Sequence, residues 1–321
     1  MAPYELALPS TCHYCEHAVN DSNHLPVEPR SEAEPWPRSG RTRPEVVILV
    51  VPGRQHVRQE LERLKPSIAT RADIAAIDLN FEYDFTGKDH DLVIVLGGDG
   101  SILQAARQMA ENQIPVLGVN CGRLGFLAAL SPEKFLDVWP EVCCGDFSIV
   151  DHIMMRASLI RDGKVLDSHL GLNEAAILGG PPYQIMNIDM YVDEMLATTY
   201  CCDGLIISTP VGSTAHNLSA GGPILHKNLH AFVISPISPH TLTYRPVVDS
   251  ADRLFELTVA APNESTSVVV DGRVMGTIQA GDRVQVRRAS QSFKMLQVPG
   301  QNDYRTLREK LSWGGNALPK K

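Results

Sequence analysis

The chain has 321 residues, 44% of them hydrophobic, enough to bury a substantial core and to suggest two domains. A net charge of −8 argues against a large nucleic-acid footprint. The first residues, MAPYELALPS, lack a basic start and a long apolar core, and no later apolar run approaches membrane-spanning length, so the expectation is a cytoplasmic globular protein with neither nucleic acid nor membrane as a partner.

Residues 1–43 are rich in Pro, Glu, Ser, Asn and Arg and carry no sustained apolar period, which predicts a flexible extension. Cys12 and Cys15, near His13 and His17, have C-x-x-C spacing, but no second pair completes a zinc set. Seven cysteines, including the adjacent pairs Cys143-Cys144 and Cys201-Cys202, do not read as a secreted disulfide framework; reduced thiols are expected. A strand is predicted over 45–51, an amphipathic helix over 55–64 and a second strand over 73–79.

The stretch from Asp91 to Ala106, DLVIVLGGDGSILQAA, then passes from a strand buried on both faces through a glycine-rich turn into a helix expected to begin near Ser101, whose hydroxyl would cap it. Gly97, Gly98 and Gly100 can take positive φ and let a ligand approach the backbone, and a helix N-terminus favours an anion such as phosphate. A carboxylate among those glycines would repel phosphate unless a divalent cation bridges them or the group takes a proton from an attacking hydroxyl, so Asp99 reads as catalytic. Replacing it with Asn is expected to keep the turn at little structural cost. Strand 115–119 follows, ending in NCGRLGF (Asn120 to Phe126), and a helix spans 132–142. Strands alternating with helices predict an open α/β domain over 44–145, binding ligands at the carboxyl ends of its strands.

Beyond about residue 145 the pattern changes to short β runs over 149–160, 165–169, 174–178, 185–192 and 195–200, separated by turn signals such as Asp162-Gly163 and Asp271-Gly272. A second, antiparallel β-rich domain over 146–300 is expected, with the active site in the cleft between the two. Residues 301–321 should supply a helix from Asp303 to Leu311 and a tail packing back on the first domain. Within the β domain, DGLIISTPVGSTAHNLSAGGPIL (Asp203 to Leu225) reads as strand, break and short helix capped by Ser213 or Thr214, too polar for core and suited to a hydroxyl-rich ligand. Asn173-Glu174 offers an amide and a carboxylate suited to ribose hydroxyls.

GGDGS at Gly97 to Ser101, NEA at Asn173 to Ala175, the Asp203 to Leu225 block, PISPHTLTYRPVV at Pro236 to Val248 and the final Leu311-Ser312-Trp313-Gly314 together resemble the NAD kinase family over residues 45–315. The resemblance implies transfer of the ATP γ-phosphoryl group to the 2′-hydroxyl of the adenosine ribose of NAD, with Mg²⁺ carried mainly on the ATP phosphates and a homo-oligomeric enzyme. It implies Asp99 as the catalytic group, Gly97, Gly98 and Gly100 against the ATP phosphates, and NAD contacts from Asp99, Gly100, Asn173, Glu174, Asp203, Thr214, Ala215, His216, Asn217, Leu218, Ser219 and Arg273. His216 stands where the family usually has Tyr, Arg273 where it has Gln in an Asp-Gly-Gln hairpin, and Val211 where Thr is common. The same glycine-aspartate turn occurs in lipid kinases and phosphofructokinases, and a weakened NAD-binding regulatory protein is the non-enzymatic alternative. The Asp203 block and the intact Asp99 argue against both.

Overall fold

The computed structural model describes residues 40–312 together with Trp36 and Pro37. The apolar runs of the first half pair as a parallel sheet: β1 (Glu45–Val50), β2 (Asp73–Asp78), β3 (Leu92–Gly97) and β4 (Val116–Asn120), in the order β2-β1-β3-β4. Helices α1 (Gln55–Arg71), α2 (Asp99–Met109) and α3 (Pro132–Cys143) cover its faces. Side chains of β1 alternate as strand geometry requires. Val46, Ile48 and Val50 join one core with Leu64 of α1 and Trp139 of α3, while Val47 and Leu49 join another with Ile102 and Ala106 of α2. Helix α1 outruns its predicted end at residue 64 and passes through Pro66, because Val57, Leu61, Leu64 and Ile68 continue one buried stripe whose packing outweighs the backbone bond that proline removes.

The second half is hairpins: β5 (Ser148–Arg161), β6 (Lys164–Gly171), β7 (Glu174–Leu178), β8 (Met186–Val192), β9 (Met195–Cys202), β10 (Gly204–Ser208), β11 (Ala231–Ile237), β12 (Val247–Ser250), β13 (Phe255–Val259), β14 (Ser267–Val270), β15 (Arg273–Thr277) and β16 (Arg283–Gln297), with the short α4 (His216–Ser219) after β10. Six of them form an antiparallel sheet in the order β12-β11-β10-β7-β14-β15. The others extend the first sheet, since the far end of β16 pairs in parallel with β4 through Met295 and Val116, while most of its length pairs antiparallel with β5. The change near residue 145 is therefore a change of connection within one continuous ten-stranded sheet. Between the two sheets lies a third core that includes Ile177, Ile207, Phe232 and Phe255.

Two edges of the chain bear on the expectations. Arg41 reaches Asp91 and Glu45, and Arg43 reaches the carbonyls of Ala69 and Ala72, so the ordered body includes part of the stretch read as flexible. Cys12, Cys15 and Trp313 lie outside the described residues. Helix α5 (Asp303–Leu311) has the predicted bounds, capped by the Asn302 side chain accepting from the N–H groups of Tyr304 and Arg305.

Candidate active site

Helix α2 begins at Asp99 rather than near Ser101. Ser101 is its third residue, and the hydroxyl reaches back to accept from the N–H of Gly98 at 3.4 Å. A carboxylate in the first turn suits the positive end of the helix, which is why the start lies earlier than a hydroxyl cap predicts. None of Gly97, Gly98 and Gly100 takes positive φ. Their value is space: a Cβ on Gly97 would lie 2.1 Å from the Ser101 hydroxyl, whereas at Gly98 and Gly100 it would meet nothing within 4 Å. Open room thus adjoins the helix N-terminus on the side of those two glycines.

The carboxylate of Asp99 is held by the loop that follows β4. Its Oδ2 accepts from the N–H of Phe126 at 2.7 Å, and its Oδ1 from those of Leu127 and Ala128 at 3.0 Å each. Gly125 makes this approach possible, since a Cβ there would stand 2.0 Å from Oδ1. Asn120 shapes the same loop, donating through Nδ2 to the carbonyls of Arg123 and Ala128 and accepting from the N–H of Gly122. A carboxylate offers about four acceptor positions, so with two filled on Oδ1 and one on Oδ2, the open lone pair is on Oδ2.

A second carboxylate is held the same way. Asp271, in the β14–β15 turn, accepts from the N–H groups of Leu172, Asn173 and Glu174 at 2.8, 2.8 and 3.0 Å, fixing the Asn-Glu turn at the start of β7. Burial pushes the Asp271 carboxyl upward against those bonds. Glu174 is buried, its Oε2 has no partner, and burial followed by the charge of Asp271 raises it to about 8. Arg107 senses both Asp271 and the exposed Arg273; burial first, then the Arg273 charge, lowers its pKa. Because Asp99, Leu103 and Arg107 share one face of α2 at four-residue steps, that face runs from the first cradle toward the second.

The segment after β10 packs onto the Asn-Glu turn. Thr209 donates through its N–H to the carbonyl of Asn173 at 2.8 Å, and a Cβ on Gly212 would lie 2.1 Å from that oxygen. A 3₁₀ turn over Gly212–Thr214 precedes α4, which begins at His216 with Ala215 as its cap; neither Ser213 nor Thr214 caps it, because both hydroxyls are spent on carbonyls, those of Pro210 and Val211. Ala215, His216 and Leu218 are half-buried and Ser219 is exposed. The side chain of Asn217 is turned inward, donating to the carbonyls of Ser213 and Pro223 and accepting from Ser235. Asp203 stands apart. In the β7–β10 register Ser208 lies opposite Glu174 and Gly204 opposite Leu178, so Asp203 sits roughly 17 Å along the strand from the Asn-Glu turn, exposed and 3.5 Å from His240.

Phe126 links the first cradle to α5. Lys227 donates to the Phe126 carbonyl at 2.8 Å and to Asp303 at 2.9 Å, and Lys310 lies 4.9 Å from the Phe126 ring centroid. The C-terminal helix thus packs on a loop of the first half. A cavity of about 140 Å³ between them is lined by Phe126, Thr214, Lys227 and Tyr304, and one of about 780 Å³ on the other side by Leu117, Leu130, Lys227 and His152. His152 is buried with Nδ1 unpartnered, and burial, then the Lys227 charge, pushes it down to about 4. Among the described residues no three His, Cys, Asp or Glu side chains converge on a metal-sized site.

Asp271, Gly125, Asn120, Arg107 and Lys227 were not singled out as site residues by sequence reasoning. Only the Asp-Gly turn at 271–272 and the paired glycines of NCGRLGF carried a signal for them.

Two family models match the chain, the ATP-NAD kinase N-terminal domain over residues 51–147 and the ATP-NAD kinase C-terminal domain over residues 172–298. An NAD kinase of Rhodopirellula baltica is 63% identical over 292 residues, covering 91% of this chain and 94% of that protein. An NAD kinase of Geotalea daltonii is 40% identical over 224 residues, covering 70% and 79%. Yeast NADH kinase, solved with NADH, superposes with a TM-score of 0.78 at 21% identity over 88% of this chain and 92% of that one, a likeness of fold. An NAD kinase of Archaeoglobus fulgidus, solved with ATP, superposes with a TM-score of 0.65 at 26% identity over 83% and 98%.

Proposed function

This chain belongs to the NAD kinase family, and from that premise we propose how its own residues phosphorylate NAD. The enzyme transfers the γ-phosphoryl group of ATP to the 2′-hydroxyl of the adenosine ribose of NAD, giving NADP and ADP. The observation that carries the assignment of roles is the Asp99 cradle. Its three N–H bonds fix the carboxylate and leave the open lone pair on Oδ2, where the ribose hydroxyl docks. As the ribose oxygen bonds to the γ-phosphorus and the bond to the β–γ bridging oxygen breaks, the hydroxyl proton passes to Oδ2 and then to solvent. Gly97 supports the turn by admitting Ser101, and the open space at Gly98 and Gly100 admits the phosphates beside the helix N-terminus. A divalent cation such as Mg²⁺, brought in with ATP, would supply neutralisation of the charge on the transferring group.

On the acceptor side, Asn173 and the unpartnered oxygen of Glu174 meet ribose hydroxyls, with Asp271 as their anchor and Arg273 beside the dinucleotide. Thr214, Ala215, His216, Leu218 and Ser219 line the dinucleotide, whereas Asn217 serves by holding that segment in shape. Asp203 lies roughly 17 Å along β10 from the Asn-Glu turn, so its contact with NAD is at the opposite end of the dinucleotide from the one that Glu174 meets. Cys121, Cys201 and Cys202 are free thiols, in keeping with a reducing compartment such as the cytoplasm. No helix among the described residues is long and apolar enough to cross a membrane. Incubation of the purified protein with Mg-ATP and NAD should yield NADP. Omitting either nucleotide should abolish the product, and a protein that binds NAD but forms no NADP would refute the assignment.

A further inference from the structure

Lys227 lies outside every segment assigned so far to ATP or NAD, yet its side chain is only 14% exposed and its ammonium bridges the Phe126 carbonyl and the Asp303 carboxylate. The Phe126 carbonyl and the Leu127 N–H belong to one rigid peptide plane. One end of that plane is held by Lys227 and the other donates to Oδ1 of Asp99. A cation on the carbonyl fixes the direction of the N–H at the far end of the plane and polarises it into a stronger donor. The preceding peptide supplies the Phe126 N–H to Oδ2, so both bonds pivot on the residue that Lys227 anchors. Lys310 over the Phe126 ring and Asp303 against Lys227 come from α5, which closes the chain of contacts.

We propose that Lys227 is a positioning residue for Asp99, acting through the 126–127 peptide and itself held by Asp303 of α5. The proposal rests on Asp99 being the base. Removing the ammonium frees the peptide to rotate, and the carboxylate then no longer presents Oδ2 in one orientation to the ribose hydroxyl. A loss of alignment at a reacting group costs up to about a hundredfold in rate without a comparable loss in binding.

The test is steady-state NADP formation by the full chain carrying Lys227→Met, Lys227→Arg, Asp303→Ala, Asp99→Asn and the double variant Lys227→Met with Asp99→Asn. Lys227→Met should lower kcat by about ten- to a hundredfold with the KM for NAD changed less than about twofold, and Lys227→Arg should restore most of the loss. In the Asp99→Asn background Lys227→Met should have no further effect on kcat, because the two act as one unit. Parental kcat in Lys227→Met, or an equal loss in both backgrounds, overturns the proposal while leaving the base assignment standing. Parental turnover in Asp99→Asn overturns both. Should Lys227→Met not fold, Asp303→Ala, which removes one anchor of the ammonium and leaves its bond to the Phe126 carbonyl, is read by the same criteria.

Discussion

Replacing Asp99 with Asn separates its two roles, as anchor of the 125–128 loop and as base. Asn keeps one carbonyl oxygen, which can stay with the N–H groups of Leu127 and Ala128, but it turns an NH₂ toward the N–H of Phe126, setting donor against donor where 2.7 Å now separates donor from acceptor. An unpaired donor costs about 1–3 kcal/mol, and the remaining bonds lose the advantage of a charged acceptor, so the total is roughly 2–4 kcal/mol. The melting temperature should fall by several degrees. Loss of a general base removes about 100- to 10,000-fold, so kcat at saturating ATP and NAD should drop by at least about a hundredfold. Differential scanning fluorimetry reads the first effect, and NADP formation well below the melting temperature reads the second. A variant with lowered stability but near-parental kcat would leave Asp99 an anchor only. One with parental stability would refute the cradle as a stabilising contact.

Gly125→Ala places a methyl against the Asp99 carboxylate and should lower kcat by about tenfold or more; unchanged kinetics would show that the loop does not need that approach. Glu174, held up at about 8, carries a proton in the folded state that the unfolded chain releases above about 4.5, so its contribution to stability is full below that pH and lost toward pH 8. Glu174→Gln should therefore leave the melting temperature near parental at pH 5 and raise it relative to the parent at pH 9, and a pH-independent difference would refute this. His152, pushed down to about 4 from 6.5, is neutral in the folded state, so its contribution is full above pH 6.5 and lost as pH falls to about 4, on the order of 3 kcal/mol. His152→Gln should flatten the stability profile across that window, and a parent already flat there would remove the effect.

Strands β1, β3 and β4 were legible because burial on both faces leaves unbroken apolar runs, and α5 because Leu307 and Leu311 fall on one side at helical spacing. Asp99 was legible as a special carboxylate since it stands in a glycine turn at a strand end. What holds it was not, because its partners lie 27–29 residues away and act through backbone N–H groups, which no side-chain pattern reports. The same reason hid Asp271, whose partners are 97–99 residues away. The three N–H bonds to the Asp99 carboxylate raise the cost expected for Asn at position 99 above that of an ordinary turn residue. Asp203 is the opposite case: it opens the block that runs to Leu225, but an extended strand carries it away from the Asn-Glu turn.

The two cradles also decide how the cleft can open. Both halves contribute strands to one sheet, joined where the end of β16 meets β4 at Met295 and Val116, so a hinge between halves would have to bend the sheet or break it at that buried junction. The loop at 121–128 carries no such ladder. It is tied down by Asn120, Asp99 and Lys227, three side chains whose bonds can be exchanged one at a time for bonds to a ligand. Adjustment to nucleotides is therefore expected in that loop and in α5, while the sheet under them keeps Asp99 and Glu174 at a fixed separation. Amide exchange in the presence of NAD should slow at Phe126, Leu127 and Ala128 and stay unchanged in β3 and β7. A uniform change across both sheets would mean that the halves move as bodies and that the continuous sheet does not hold them.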